Sequence, residues 1–355
     1  TETSHRPRAT TIEEHRPMRA TVIHAPGDIR VEDHDEPSIV DPTDAIIRLT
    51  ATCVCGSDLW PYRGAQPIAQ PTPMGHEYVG TVEEVGDAVT TVAPGDTVVG
   101  SFVTSDGTCE ICRAGFPSSC VNRTFMSSTQ AEVARIPNAD GTLVVTPGEP
   151  DDDVLRDLLA VSDVMGTGWW AATAAGVQPG QTVAVVGDGA VGLCGVIAAR
   201  QLGAERIIAM SRHEPRQALA REFGATDIVT ERGDDGAQRV RDLTDGLGAH
   251  ATLECVGMQE SFLQAIRSTR PGGAVGFVGM PHGVSLDAQE LFFAQIQLLG
   301  GPAPVRRFLP DLIDLVWKRE ITPGKVFDLE LPLDQAAEGY AAMDERRAIK
   351  ALLRP

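Results

Sequence analysis

Lysine is nearly absent from this chain of 355 residues: Lys318, Lys325 and Lys350 are the only three, and the other 27 cations are arginine. The 30 cations face 49 acids, a net charge of −19. Such a surplus repels phosphate, so nucleic acid and anionic membranes are excluded as expected partners. The arginine bias is read as a codon effect of a GC-rich genome, with adaptation to salt as the alternative. No apolar run approaches the length needed to span a bilayer. The opening "TETSHRPRATTIEEHRP" lacks the apolar stretch of a secretion signal, and a cytoplasmic location is expected. Internal repeats and low-complexity tracts are missing too. With 42% hydrophobic and 22% charged residues, no domain-sized disorder is expected.

What is present suffices for two domains, each with its own core. Residues 1–17 are polar and without periodicity, and read as a flexible tail. From Met18 the chain is strand-rich and broken by Gly and Pro turns ("YVGTVEEVG", "GDTVVGSF", "AEVARIP"), the texture of an irregular barrel or sandwich. Beyond about residue 156, apolar strands alternate with helical patterns ("TVAVVG", "VGLCGVIAARQLG", "RIIAMS", "ATLECVG", "GAVGFVG"). That rhythm predicts an α/β fold with a parallel sheet covered by helices on both faces. The division expected is 156–305 for this unit, with 18–155 and 306–355 forming the strand-rich one.

"VAVVGDGAVGLCGV" places Gly187, Gly189 and Gly192 as G-x-G-x-x-G, directly after a strand and opening a helix. The first glycine allows the tight turn and the second lets the backbone approach a pyrophosphate. The third permits close helix–strand packing, and the helix N-terminus attracts the negative charge. The next strand, "RIIAMS", would ordinarily end in an acid that binds the adenosine ribose. It ends instead in Ser211, Arg212 and His213, with Arg216 beyond a Glu-Pro pair. A hydroxyl and guanidinium groups can bond a 2′-phosphate that an acid would repel, so NADP(H) is expected over NAD(H).

Seven cysteines in a chain expected to be cytosolic point to metal or core positions rather than disulfides. Cys53, Cys194 and Cys255 read as small buried hydrophobes. Elsewhere "CVCGSDLW" supplies Cys55, Ser57 and Asp58, "MGHEYVG" supplies His76 and Glu77, and "LLAVSDVMGTGWW" supplies Asp163. A thiolate, an imidazole and carboxylates form a set that suits zinc with an open coordination position.

In motif order and spacing the chain after Met18 resembles the zinc-dependent medium-chain alcohol dehydrogenases, in which a GroES-like catalytic domain accompanies a Rossmann domain. The resemblance implies Cys55, His76 and Asp163 as catalytic zinc ligands, with Glu77 as a fourth or alternating one. Asp163 stands where many relatives carry cysteine, a pattern similar to bacterial secondary-alcohol dehydrogenases, several of which prefer NADP. Asp58 would orient a ligand imidazole, and Ser57 would hydrogen-bond the substrate oxygen and pass its proton outward. Zinc would lower the pKa of a bound alcohol, or polarise a carbonyl for reduction. Further cofactor contacts are implied for Thr167, Ala190, Val191, Cys255, Val256, Val278, Gly279 and Lys350. The chain departs from the family at Trp60, where relatives often carry the outer histidine of a proton relay. Trp60, Phe102 and Trp169 are the candidate walls of the substrate pocket.

"DGTCEICRAGFPSSC" aligns Cys109, Cys112 and Cys120 with three corners of the family's structural zinc lobe, and Asp106 stands at the first. A carboxylate is an acceptable zinc ligand, so a closed structural site is expected, with a lost site as the alternative. The activity implied is hydride transfer between an alcohol carbon and NADP(H), acting on a small-molecule alcohol, aldehyde or ketone, with the aromatic candidates tilting toward apolar or aryl alcohols. A polyol or sugar dehydrogenase on the same scaffold is one alternative, and a non-catalytic NADPH-binding protein another. Relatives associate as dimers or tetramers, so a homo-oligomer is expected.

Overall fold

The computed structural model describes residues 17–355. The tail expected over 1–17 lies outside the described residues except for Pro17, which opens the strand Pro17–Ala25.

Six parallel strands form one sheet, in the order Asp227–Val229, Arg206–Met210, Thr182–Val186, Ala249–Glu254, Thr269–Phe277, Gln297–Gly300. Numbered along the chain, that is the doubly wound order 3-2-1-4-5-6. The strands are apolar on both faces because both faces are covered. Val183 and Val185 join one core cluster, with the helices Val164–Ala174 and Ala190–Gln201. Ala184 and Val186 join another, with Val240 and Ala265 of two further helices.

Val164–Ala174 is buried on nearly every side, as expected of a helix without a polar face. It approaches Ala190–Gln201 closely at Gly168, where a Cβ would stand 2.6 Å from the Gly195 nitrogen. The preceding helix, Asp152–Val161, is capped by Asp151, whose Oδ1 accepts from the Val154 amide at 2.8 Å. Such a cap contributes about 1 kcal/mol. These two helices present Asp163, in the break between them, to the cleft.

The strand-rich part forms a seven-stranded sheet, in the order Phe327–Pro332, Lys350–Arg354, Ala45–Cys53, Tyr78–Val85, Thr97–Gly100, Leu143–Val145, with Val133–Ile136 also paired to Ala45–Cys53. The last strand of the chain thus pairs antiparallel with the strand that leads into Cys55. A smaller antiparallel sheet joins Asp28–Asp35, Pro17–Ala25 and Thr72–Pro73. Among the described residues no helix is long and apolar enough to cross a membrane.

Candidate metal centre and cofactor cleft

Cys55 follows the end of its strand and caps a short 3-10 turn, Gly56–Asp58. Its amide donates to Asp58 Oδ2 at 3.0 Å, which folds the turn back on itself. His76 and Glu77 precede the strand Tyr78–Val85, and Asp163 is the N-cap of Val164–Ala174. One donor atom from each of Cys55, His76, Glu77 and Asp163 lies within 4.8 Å of the others. Asp163 Oδ2 is 3.5 Å from His76 Nε2 and 3.7 Å from Cys55 Sγ. Its Oδ1 accepts from Thr167 Oγ1 at 2.6 Å, one helical turn on, which fixes the carboxylate plane.

The surroundings aim these donors. Asp58 Oδ1 is 3.5 Å from His76 Nδ1, which leaves Nε2 toward the cluster. Asp58 Oδ2 also accepts from Gln130 Nε2 at 3.2 Å, and Tyr340 donates to Gln130 Oε1 at 3.1 Å. Lys350 is buried, with Nζ 2.7 Å from Glu77 Oε1 and donating to the Val54 carbonyl at 3.1 Å. Burial opposes the charge on Lys350, but Cys53, Glu77 and Cys55 outweigh it and hold its pKa well above the ordinary value. Glu77 Oε2 is buried without a hydrogen-bond partner. An orphaned carboxylate oxygen beside a thiol and an imidazole is what a divalent cation would satisfy, so the donor set fits zinc.

On the cofactor side the glycines behave as their spacing predicts. Gly187 has φ of 117°, in the left-handed region, and a Cβ on Gly192 would meet the Gly187 carbonyl at 1.9 Å. Gly189 caps Ala190–Gln201 with no side-chain cap bond, and nothing stands within 4 Å of where its Cβ would be. The first-turn amides are thus free for a pyrophosphate. A cavity of ≈ 180 Å³ brings Gly189, Ala190, Arg216 and Lys350 together from three separate parts of the sequence. Cys255, Val256 and Gly279 converge where Val186 ends: the Cys255 amide donates to the Val186 carbonyl at 2.9 Å, and Val278 donates to Glu254 at the same distance. Ser211 is buried, His213 half-buried and Arg212 exposed.

Of the expected pocket walls, Phe102 lies 6.2 Å from the His76 ring, centroid to centroid. Trp60 stacks on His282, at 3.5 Å and 27° between planes, on the loop after Thr269–Phe277. Trp169 is half-buried against the large core cluster, as is Phe102. Ser57 is exposed beside the buried Asp58. A second cavity of ≈ 240 Å³ runs beside Asp58 and His76, past Gln66, Ile68, Met74 and Met126. Gln130, Tyr340, Asp188 and His282 were not singled out by pattern; of the four only Asp188 lies inside a motif, between Gly187 and Gly189.

The lobe at Asp106 holds its four donors within 4.8 Å of one another as well. Amides of Asp106 and Asn122 donate to Cys120 Sγ at 3.4 and 3.3 Å, and the Cys112 amide donates to Cys109 Sγ at 3.4 Å. Three N–H···S bonds in so short a segment suit thiolates. Burial works against ionising Asp106, but the amides of Cys109 and Thr108 outweigh it and hold the carboxyl far below the usual range. Burial, with Cys109 and Cys120 beside it, pushes the Cys112 thiol up to about 12.

Two family models match the chain: an alcohol dehydrogenase GroES-like domain over residues 41–147 and a zinc-binding dehydrogenase domain over 190–318. The zinc-type alcohol dehydrogenase B of Aspergillus flavus is 34% identical over 350 residues, covering 95% of this chain and 81% of that protein. The alcohol dehydrogenase of Thermus sp. ATN1 superposes with a TM-score of 0.87 at 30% identity, covering 95% of this chain and 99% of that one. A Sinorhizobium meliloti chain solved with NADP bound gives a TM-score of 0.81 at 26% identity, over 96% of this chain and 100% of that one.

Proposed function

The chain belongs to the zinc-dependent medium-chain alcohol dehydrogenase family, and from that premise we propose that it transfers hydride between small alcohols and NADP(H), reducing aldehydes or ketones in reverse. The observation that carries this reading is the mixed donor set of Cys55, His76, Glu77 and Asp163, gathered within 4.8 Å, with Lys350 joining Glu77 to the cavity at the glycine loop. Cys55, His76 and Asp163 would hold the catalytic zinc, with Glu77 as the exchanging donor. Zinc bound there supplies a Lewis acid for the substrate oxygen.

The chain's own groups do the rest. Asp58 keeps the His76 ring turned so that Nε2 faces the cluster. Ser57 Oγ, exposed in the middle of the turn, accepts the alcohol proton and passes it to the ribose hydroxyls or to water, because Trp60 carries no titratable group. The amides that open Ala190–Gln201 hold the pyrophosphate, and Ser211, Arg212 and Arg216 face the adenosine ribose, which favours NADP(H). Residues 18–155 and 306–355 form the catalytic domain and 156–305 the cofactor domain.

Chains associate through the free edge of Gln297–Gly300, where Leu299, Phe292, Phe293 and Met280 are all exposed. A monomer in sedimentation would contradict that. The activity is tested by offering alcohols and aldehydes to the zinc-loaded protein with each cofactor. Chelator-sensitive NADPH oxidation with an aldehyde is expected. Tight NADPH binding without turnover of any substrate would favour an inert binder and overturn the assignment.

The Asp106 lobe is proposed to hold a second, structural zinc. Asp106→Ala is expected to lose that ion alone, leaving one zinc per chain and a protein that unfolds at lower temperature. Unchanged metal content would remove Asp106 as a ligand.

A further inference from the structure

Asp188 lies between Gly187 and Gly189, at a position the glycine pattern leaves open to any residue. Its carboxylate reaches across to the end of the strand Arg206–Met210. Ser211 Oγ donates to Asp188 Oδ2 at 2.7 Å, and Arg216 Nη1 lies 3.3 Å from Oδ1 and 3.4 Å from the Asp188 carbonyl. The Arg216 and Asp188 side chains are 13% and 19% exposed, and Ser211 is 4% exposed. Arg216 also lines the cavity at Gly189 and Ala190. The two groups assigned above to a 2′-phosphate are therefore already committed to a carboxylate.

We propose that Asp188 is a specificity-determining residue for the dinucleotide, opposing the 2′-phosphate and keeping NAD(H) in use beside NADP(H). The strand carries no acid at its end, so the acid comes from the glycine loop instead. An ionised carboxylate only accepts hydrogen bonds. It can receive a ribose hydroxyl, but it offers nothing to phosphate oxygens except like-charge repulsion. It also neutralises Arg216, which leaves exposed Arg212, and Arg346 on the cavity wall, as nearby cations not engaged by Asp188. Binding NADP(H) requires Ser211 and Arg216 to turn from Asp188 to the phosphate, with the carboxylate still close by. The inference rests on the reading that Ser211 and Arg216 face the adenosine ribose.

The test is direct binding, not turnover. Dissociation constants for NADPH and NADH are measured by fluorescence titration of the zinc-loaded wild type, Asp188→Asn and Asp188→Ala. Asn keeps the shape and removes the charge, whereas Ala removes both. Both variants are expected to bind NADPH about tenfold more tightly than wild type, with NADH unchanged or weaker. NADPH affinity unchanged or weakened in both variants would overturn the role of Asp188. The wild-type ratio is a separate readout. Tighter NADH than NADPH there sinks the NADP preference proposed above, while the shift in the variants still decides Asp188.

Discussion

Asp163→Ala should yield a folded protein that has lost its catalytic zinc and turns over at least about three orders of magnitude more slowly. Asp163 contributes the donor that lies between Cys55 Sγ and His76 Nε2, at 3.7 and 3.5 Å. Glu77, its Oε1 held by Lys350, already offers its unpartnered Oε2 to the same ion, so it does not stand in for the missing donor. Asp163→Cys restores a thiolate, the residue many relatives carry here, and should retain the metal. Metal analysis and kcat on the two variants check this; full zinc content and wild-type kcat in Asp163→Ala would remove the residue from the site. The same cluster sets the pH dependence of metal uptake. Burial disfavours a charged His76, but the Cys55 thiol, Asp58 and Asp163 outweigh it and hold the ring's pKa well above its ordinary value. A proton on His76 competes with the metal. Zinc affinity should be full above that pKa and lost as pH falls through it, with protons released on binding.

The sequence made some of this site legible and left the rest dark, for physical reasons. The glycine loop could be read because its requirements are local: a left-handed Gly187 and a Gly192 with no room for a Cβ depend on a few neighbouring residues. The parallel sheet was legible from its two-sided apolar strands, and the lobe from a cysteine spacing that closes on itself. Cys55, His76 and Asp163 carry metal chemistry in their side chains, but it was the family resemblance, not residue type alone, that picked them out as a set. Gln130 and Tyr340 did not announce themselves. They act through a hydrogen-bond chain that joins residues 210 positions apart, and only the folded sheet brings them to Asp58. The spacing of Trp60 from Asp58 is visible in the sequence and marks it as a candidate pocket wall. Its partner His282 belongs to the other half of the fold, and no spacing links the two. Asp188 sits inside the most recognisable motif of the chain, yet a pattern of glycines says nothing about where an intervening side chain turns.

In a chain with three lysines, two stand in exposed pairs, Lys318 with Asp314 and Lys325 with Glu222. The third, Lys350, is 1% exposed and faces a Glu77 that is 0% exposed, 273 residues earlier. Lys350→Met is expected to destabilise the protein by about 3–5 kcal/mol, the usual consequence of leaving one member of a buried pair without its partner. Methionine fills much of the volume but neutralises nothing. Glu77 Oε1 would lose its nearest cation and keep only His76 Nε2 at 4.0 Å, Oε2 is already unpartnered, and the Val54 carbonyl would lose its donor. The double variant Lys350→Met with Glu77→Gln removes both charges and should recover a large part of the loss, because the cost lies in the unpaired charge rather than in the missing bond. Urea unfolding midpoints of the four proteins, taken without metal, give the coupling. Lys350 also lines the cavity at Gly189 and Ala190, so a cofactor role alone would give a different pattern: weaker NADPH binding with an unchanged midpoint. A Lys350→Met midpoint equal to that of the wild type would therefore reduce the pair to a feature of the cofactor site, whereas the expected fall makes it part of what holds the last strand of the chain against the metal centre.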